Sequence, residues 1–208
     1  MKKIFLIAPI ALFTVLASCE GETKKEVAEV AVVAKNVVSK DYAVNTLEST
    51  IAWEGEGATH GQAGNLSIKE GKFTIENDAV LVGEIEIDMT SLTVSSIPAD
   101  SEDNAKLVGH LTTDDFFKVA EFPTALLVVT DGSDMNNVKA NLTIKDVTEE
   151  ITFALSSAEA NGVITLTSSL KIDRTKYGVT FNSGNFFENL GDHLINDEFT
   201  LNVTLVSK

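Results

Sequence analysis

The sequence predicts an all-β domain, a single antiparallel barrel or sandwich. Three observations predict it. Apolar and polar residues alternate with period two through a series of short segments. Turn signals such as Asp131-Gly132 and Asn161-Gly162 fall between those segments. The chain holds one cysteine, Cys19, so no disulfide within it can stand in for a core. Period-two alternation gives a strand one apolar face and one polar face, and short strands at regular spacing are the mark of sandwiches and barrels.

The chain starts with a different kind of segment. Lys2 and Lys3 form a basic head, residues 4–16 form an almost unbroken apolar run, and Ala17-Ser18-Cys19 follows. The run is too short to cross a hydrocarbon layer of about 30 Å, so residues 1–18 read as a secretory signal peptide. Leu16-Ala17-Ser18-Cys19 resembles a bacterial lipobox, which implies cleavage before Cys19 and lipid attachment to that residue. Residues 19–40 hold charges and small residues and no aromatic, as a flexible tether would. Residues 41–208 suit one domain.

Within the domain, strands are expected at 48–54, 64–75 and 123–130. Leu81, Gly83, Ile85, Ile87 and Met89 share one face of a further strand. Alternation also marks Val138 to Ile144, Ile151 to Leu155, Ile164 to Ile172 and Phe199 to Leu205. Leu126, Leu127, Val128 and Val129 are apolar on both faces, so a cover is expected over the outer one. Ser101 followed by Glu102, Asp103 and Asn104 can open a short helix, since acids are favoured in a first turn. Residues 173–193 form a long loop rich in aromatics, and Phe181, Phe186 and Phe187 either plug one end of the barrel or touch a ligand.

The formal net charge is −15, and loss of residues 1–18 would make it −17. Such a surface repels nucleic-acid phosphates and anionic headgroups, so nucleic acid is not an expected partner and membrane attachment would come from acyl chains. His60, His110 and His193 lie far apart without metal spacing, and no serine-nucleophile elbow or phosphate-binding glycine loop is present. His193 beside Asp192 reads as a loop histidine, and Asp131-Gly132-Ser133-Asp134 as a turn. No catalytic residue, metal or cofactor is expected.

Six words in order resemble the YceI-like family. They are Gly83-Glu84-Ile85-Glu86-Ile87-Asp88-Met89-Thr90-Ser91-Leu92, Lys106-Leu107-Val108-Gly109-His110-Leu111, and Asp114-Asp115-Phe116-Phe117 with Glu121-Phe122-Pro123-Thr124. Then come Asn141-Leu142-Thr143-Ile144-Lys145-Asp146-Val147-Thr148, Ile172-Asp173-Arg174-Thr175-Lys176-Tyr177-Gly178 and Asn189-Leu190-Gly191-Asp192. The resemblance, in the family's envelope-lipoprotein branch, implies an eight-stranded, lipocalin-like antiparallel barrel with a short helix and the long aromatic loop. It implies an elongated apolar cavity holding a polyisoprenoid or a fatty amphiphile, without catalysis. Two positions depart from the pattern: many relatives carry glycine where Asp146 stands and an aromatic where Leu127 stands.

Alternation places Ile85, Ile87, Leu142, Phe153, Leu170 and Leu201 inward. With the resemblance, Trp53, Phe117, Leu127, Ile144, Tyr177, Phe181 and Phe187 complete the expected ligand contacts. Arg174 either holds a ligand headgroup at the cavity mouth or pairs with a strand-end acid, and arginine forks suit carboxylates well. The reading is therefore a binding, sequestering or carrier protein of the bacterial envelope, anchored to a membrane through Cys19. A solidly packed scaffold module is the alternative, and a lipid-acting enzyme a more distant one.

Cys19→Ala is expected to abolish acylation and move the protein from the membrane fraction to the soluble one. Fractionation in high salt checks this.

Overall fold

A computed structural model describes residues 39–208. The signal segment, Cys19 and all but the end of the expected tether lie outside the described residues. Ten strands, all paired antiparallel, make up most of what is described: β1 (Ser39–Ala43), β2 (Thr50–Gly57), β3 (Gly61–Glu76), β4 (Ala79–Val94), β5 (Thr124–Asp131), β6 (Val138–Ile144), β7 (Val147–Phe153), β8 (Ser156–Ala160), β9 (Val163–Asp173) and β10 (Ile195–Val206). The order across the sheet is β7-β6-β5-β4-β3-β2-β10-β9-β8, with β1 against β3.

The all-β class is as the sequence predicts, but the strands number ten rather than eight. Two strand positions are each filled by a broken strand. β1 pairs the second half of β3, from Glu76 to Lys72, while β2 pairs its first half, from Leu66 to Gly61. Between them the chain stays at the same place in the wall, because Val44 bridges Ser207 beyond the end of β10. β7 and β8 are the two ends of the sheet path, yet only Ala154 and Leu155 separate them in sequence. The chain itself thus closes the ring, leaving β6 and joining β9. Beside β7, the second half of β9 has no ladder partner on that side among the described residues. The Ser168 hydroxyl bridges this seam by donating to the Ala154 carbonyl at 2.8 Å.

β1 takes in Ser39 and Lys40, which the sequence reading assigned to the tether. Three two-residue connections carry positive φ at both central residues: Asn77-Asp78 (50° and 67°), Lys145-Asp146 (52° and 62°) and Asn161-Gly162 (53° and 80°). This is the hairpin geometry whose twist matches that of the flanking strands. It explains the departure at Asp146: glycine fits the left-handed position without strain, and aspartate is among the side chains that tolerate it.

Face assignment is correct for most of β4 and wrong at its start. Val80 is buried and Leu81 is not, because the ladder with β3 shifts register between Thr74 and Ile75, and the extra residue reverses the parity. A second irregularity follows Met89. The Asp88 carboxylate accepts from the Thr90 amide at 2.9 Å, and the Ser91 hydroxyl donates to the Asp88 carbonyl at 2.6 Å. Inward positions resume at Leu92 and Val94. Among the described residues no element supplies the cover expected over the outer face of β5. Leu126 and Val128 lie next to Glu86 and Glu84 on one side and Thr143 and Asn141 on the other, and are half-buried by these neighbours.

The helix α1 (Glu102–Leu111) begins as expected, with the Ser101 hydroxyl accepting from the Asn104 amide at 3.1 Å. The Asn104 side chain donates to the carbonyls of Val94 and Ile97, at 3.0 and 2.8 Å, and ties α1 to the end of β4. Close approach there needs a glycine. A Cβ on Gly64 would overlap the Thr93 carbonyl oxygen and stand 2.7 Å from the Trp53 ring.

Gly64→Ala is therefore expected to lower stability by about 1–3 kcal/mol or more, measured by urea unfolding. A neutral result would mean that the β3–β4 contact has more room than the backbone distances indicate.

Candidate functional site

The site is the space the strands enclose. Inward side chains from β2 to β7, β9 and β10 meet a cavity of about 430 Å³. That volume lies within the about 300–1,000 Å³ usual for small-molecule sites. Its wall is made chiefly of leucine, isoleucine, valine, phenylalanine and methionine. The far end is closed by buried Phe73, Val80, Leu166 and Leu205.

The other end is open. Its exposed wall residues come from two segments, the β2–β3 turn with Glu56, Thr59 and His60, and the run into β10 with Asp192, His193 and Asn196. The two segments are joined by the Ala58 amide, which donates to the Leu194 carbonyl at 2.9 Å. One side of this end is roofed by α1 and the segment after it, through Leu107, Leu111, Phe116 and Phe117. The mouth is thus polar and partly acidic, and the interior is dry.

Ten of the thirteen expected contact residues line the cavity: Trp53, Ile85, Ile87, Phe117, Leu127, Leu142, Ile144, Phe153, Leu170 and Leu201. Leu127 stands between Ile85 and Leu142 on the neighbouring strands. Three do not line it. Phe181 packs outside the wall, edge-on to His110 at 4.7 Å and 5.5 Å from Phe116, so it plugs the roof. Phe187 points to solvent with Phe186. Tyr177 is buried in the 3-10 turn Arg174–Tyr177, which packs on β7 beside the seam.

Arg174 borders the cavity, but each of its three nitrogens already donates to a backbone carbonyl. Nε donates to the Asn196 carbonyl at 3.0 Å, Nη1 to Val179 at 2.8 Å and Nη2 to Ile195 at 2.9 Å. Nη2 also stands 3.5 Å from the Asp197 carboxylate. Burial pulls its pKa below the ordinary arginine value, against the opposing pull of Asp197 and Asp173. Arg174 is 4% exposed, and its guanidinium pins the loop after β9 to the start of β10. This is the structural reading of Arg174: Asp197, near the start of β10, is the strand-end acid beside it, and backbone carbonyls take its hydrogen bonds.

Sequence reading missed two sets of wall residues. Met89 and Phe199 lie on faces that alternation already marks as apolar though neither is among the expected contacts, Phe73 sits on an expected strand, and Leu92 is hidden by the parity change after Met89. The polar rim gave no signal, because turn residues such as His60 and Asp192 look like any surface residue until the fold brings two distant turns to one opening. The fold brings His60 and His193 to the same rim and leaves His110 at the roof: His60 Nδ1 meets the Thr59 hydroxyl at 2.7 Å, and His110 Nε2 stands 3.4 Å from Asp115. Among the described residues, no cluster of three histidines, cysteines or acids could hold a metal ion.

Comparison with known proteins places this geometry. The family model described as YceI-like domain matches residues 42–207. A UPF0312 protein of Shewanella denitrificans is 29% identical over 93 residues, which are 43% of this chain and 46% of that protein, so the chain spans about half the length of this curated relative. BcnA of Burkholderia cenocepacia is similar in structure, with a TM-score of 0.59 and 18% identity over 79% of this chain and 99% of that one. A polyisoprenoid binding domain from Saccharophagus degradans, implicated in plant cell wall breakdown, is similar with a TM-score of 0.57 and 14% identity over 80% and 97%. At these identities the likeness is one of fold.

The Tyr177 hydroxyl is buried with no hydrogen-bond partner among the described residues. Burial, with Glu149 and Asp173 nearby, pushes its pKa up to about 12. A raised folded-state pKa means that this stabilising contribution is complete below the unfolded value near 10 and is lost as pH rises through 12. Tyr177→Phe is expected to be neutral or mildly stabilising at pH 7, since it removes an unpaired buried hydroxyl. It should also remove up to about 2–3 kcal/mol of the alkaline loss between pH 10 and 12. Denaturant titrations of both proteins across that range check it.

Proposed function

The chain belongs to the YceI-like domain family, a family of binding domains, and on that premise we propose that it holds one long apolar molecule in its barrel, as a carrier or store. The observation that carries this reading is the cavity itself: about 430 Å³ of enclosed space with an apolar wall and a polar mouth. Each buried CH₂ contributes about 0.8 kcal/mol, so a hydrocarbon chain binds there without matched polar contacts. A wall with almost no polar groups favours the chain of an amphiphile, with its head at the mouth.

An isoprenoid or fatty amphiphile suits that shape. One structural neighbour is a polyisoprenoid binding domain, which supports the isoprenoid class. A solidly packed scaffold would leave no such space, and a catalyst would need reacting groups aimed into it. Among the described residues, the ionisable groups on the wall lie at the rim or, like Arg174, are bonded to backbone. The proposed location is the bacterial envelope, and it rests on the sequence: the basic head, the apolar run and Leu16-Ala17-Ser18-Cys19.

Purified protein is expected to release an apolar lipid on organic extraction, identified by mass spectrometry. Leu142→Glu should keep the β-type circular dichroism spectrum and lose that lipid, because the carboxylate can protonate or reach the mouth through the open space. In a filled core the same carboxylate would be buried unpaired and unfold the domain. An unfolded Leu142→Glu variant, together with no lipid from the wild type, would favour the scaffold.

A further inference from the structure

Two aromatic rings stand at the mouth with nothing among the described residues covering them. Phe186 and Phe187 are 57% and 50% exposed. The loop beneath them is well built. Ser183 is fully buried, and its carbonyl accepts from the amides of both Phe186, at 3.1 Å, and Phe187, at 2.9 Å. The Asn182 carbonyl accepts from the Ile195 amide at 2.9 Å, and the Asn185 side chain donates to Asp197 at 2.6 Å. The rings are thus held outward on a fixed support, beside the segment that forms one side of the opening.

We propose that Phe186 and Phe187 form an insertion tip that enters the surface of a zwitterionic phospholipid bilayer and sets the cavity mouth against the lipid. Position is the first argument. Leu47, Val82 and Val163 are also exposed, but they lie toward the other end of the barrel, Leu47 and Val163 near Val206 and Val82 at the start of β4, and β10 runs about 30 Å or more along its length between the two ends. The exposed aromatic pair is confined to the end through which a ligand would pass.

Area decides against a second copy of the chain. Two half-exposed phenylalanines offer on the order of 200 Å² of surface, whereas a stable protein interface needs about 800 Å² from each partner. A bilayer requires no matching surface. Charge selects the kind of bilayer: Glu188 and Asp192 flank the tip, and the chain carries a net −15, so anionic headgroups are repelled. The contact is also weak. A single myristoyl chain gives binding of only about 10⁴ M⁻¹, and two partly exposed rings bury less. The tip therefore orients the mouth and does not serve as an anchor. The purpose of the contact rests on the ligand reading given above; the contact itself does not.

The test uses the full chain with Phe186→Trp, mixed with phosphatidylcholine vesicles whose acyl chains carry bromine, which quenches an indole only on contact. The parent chain is the control, since its lone Trp53 is buried with its indole N–H bonded to the Thr93 carbonyl. The introduced indole is expected to shift to the blue and to be quenched well beyond the parent. Adding Phe187→Ser should raise several-fold the lipid needed for half-maximal quenching. No added quenching at saturating lipid, whether or not the chain sediments with the vesicles, overturns the proposal. So does a blue shift that grows with protein concentration in the absence of vesicles, which would assign the tip to self-association. Failure here leaves the lipid extracted from the cavity unaffected, and an empty cavity leaves this quenching unaffected.

Discussion

The structure depends on the strict alternation of side-chain direction along a strand. A curled sheet has one inside, so every residue of inward parity must be apolar or the interior becomes wet. Long strands cannot hold one parity while they bend, and each break in parity has to coincide with an extra residue. β4 obeys this twice. Its inward set is Val80, then Gly83 to Met89 at every second residue, then Leu92 and Val94, with a register irregularity at each change. The bulges let two 16-residue strands, β3 and β4, wrap the cavity and still present an apolar face throughout.

The same constraint decides what could be read from sequence. Ile85, Ile87, Leu142, Phe153, Leu170 and Leu201 were legible because unbroken alternation assigns a face by counting. Leu81 was misassigned because counting passes straight through a bulge that no single residue announces. β1 and β8 were missed for another reason: Ser-Lys-Asp-Tyr-Ala and Ser-Ser-Ala-Glu-Ala have almost no apolar period, and they are strands only because β3 and β9 offer them a ladder. The family resemblance and an aromatic-rich loop grouped Tyr177, Phe181 and Phe187 with the cavity, with a plug as the other reading of Phe181 and Phe187. The fold separates them into a seam filler, a roof plug and an exposed ring, and that separation depends on tertiary placement.

Many of the family words fall at joints rather than at ligand contacts. Asp88, Thr90 and Ser91 build a bulge, Lys145-Asp146 a hairpin turn, and Asp173 caps the turn that carries Arg174 by accepting from the Thr175 amide at 2.9 Å. Arg174 then gathers three carbonyls from the loop and from β10. Removing such a guanidinium would leave buried acceptors unpaired, which costs more than the hydrogen bonds contribute when made. The mouth owes its shape to this knot, because both the rim and the loop bearing Phe186 and Phe187 are fastened to the segment it holds. Polar residues position the opening, and apolar residues decide what the interior accepts.

The broken strand that closes the ring also leaves something open. In the described residues β7 pairs only with β6, and its other, unladdered edge faces the second half of β9 and the 3-10 turn that packs on it, so closure there rests on side chains and the Ser168 bridge. At the middle of that strand stand Glu149 and Glu150, on opposite faces. A second β7 laid against the first would bring their carboxylates together. A foreign strand could therefore enter this seam only after the turn had lifted from β7, and the like charges of the two glutamates would oppose a second β7 there.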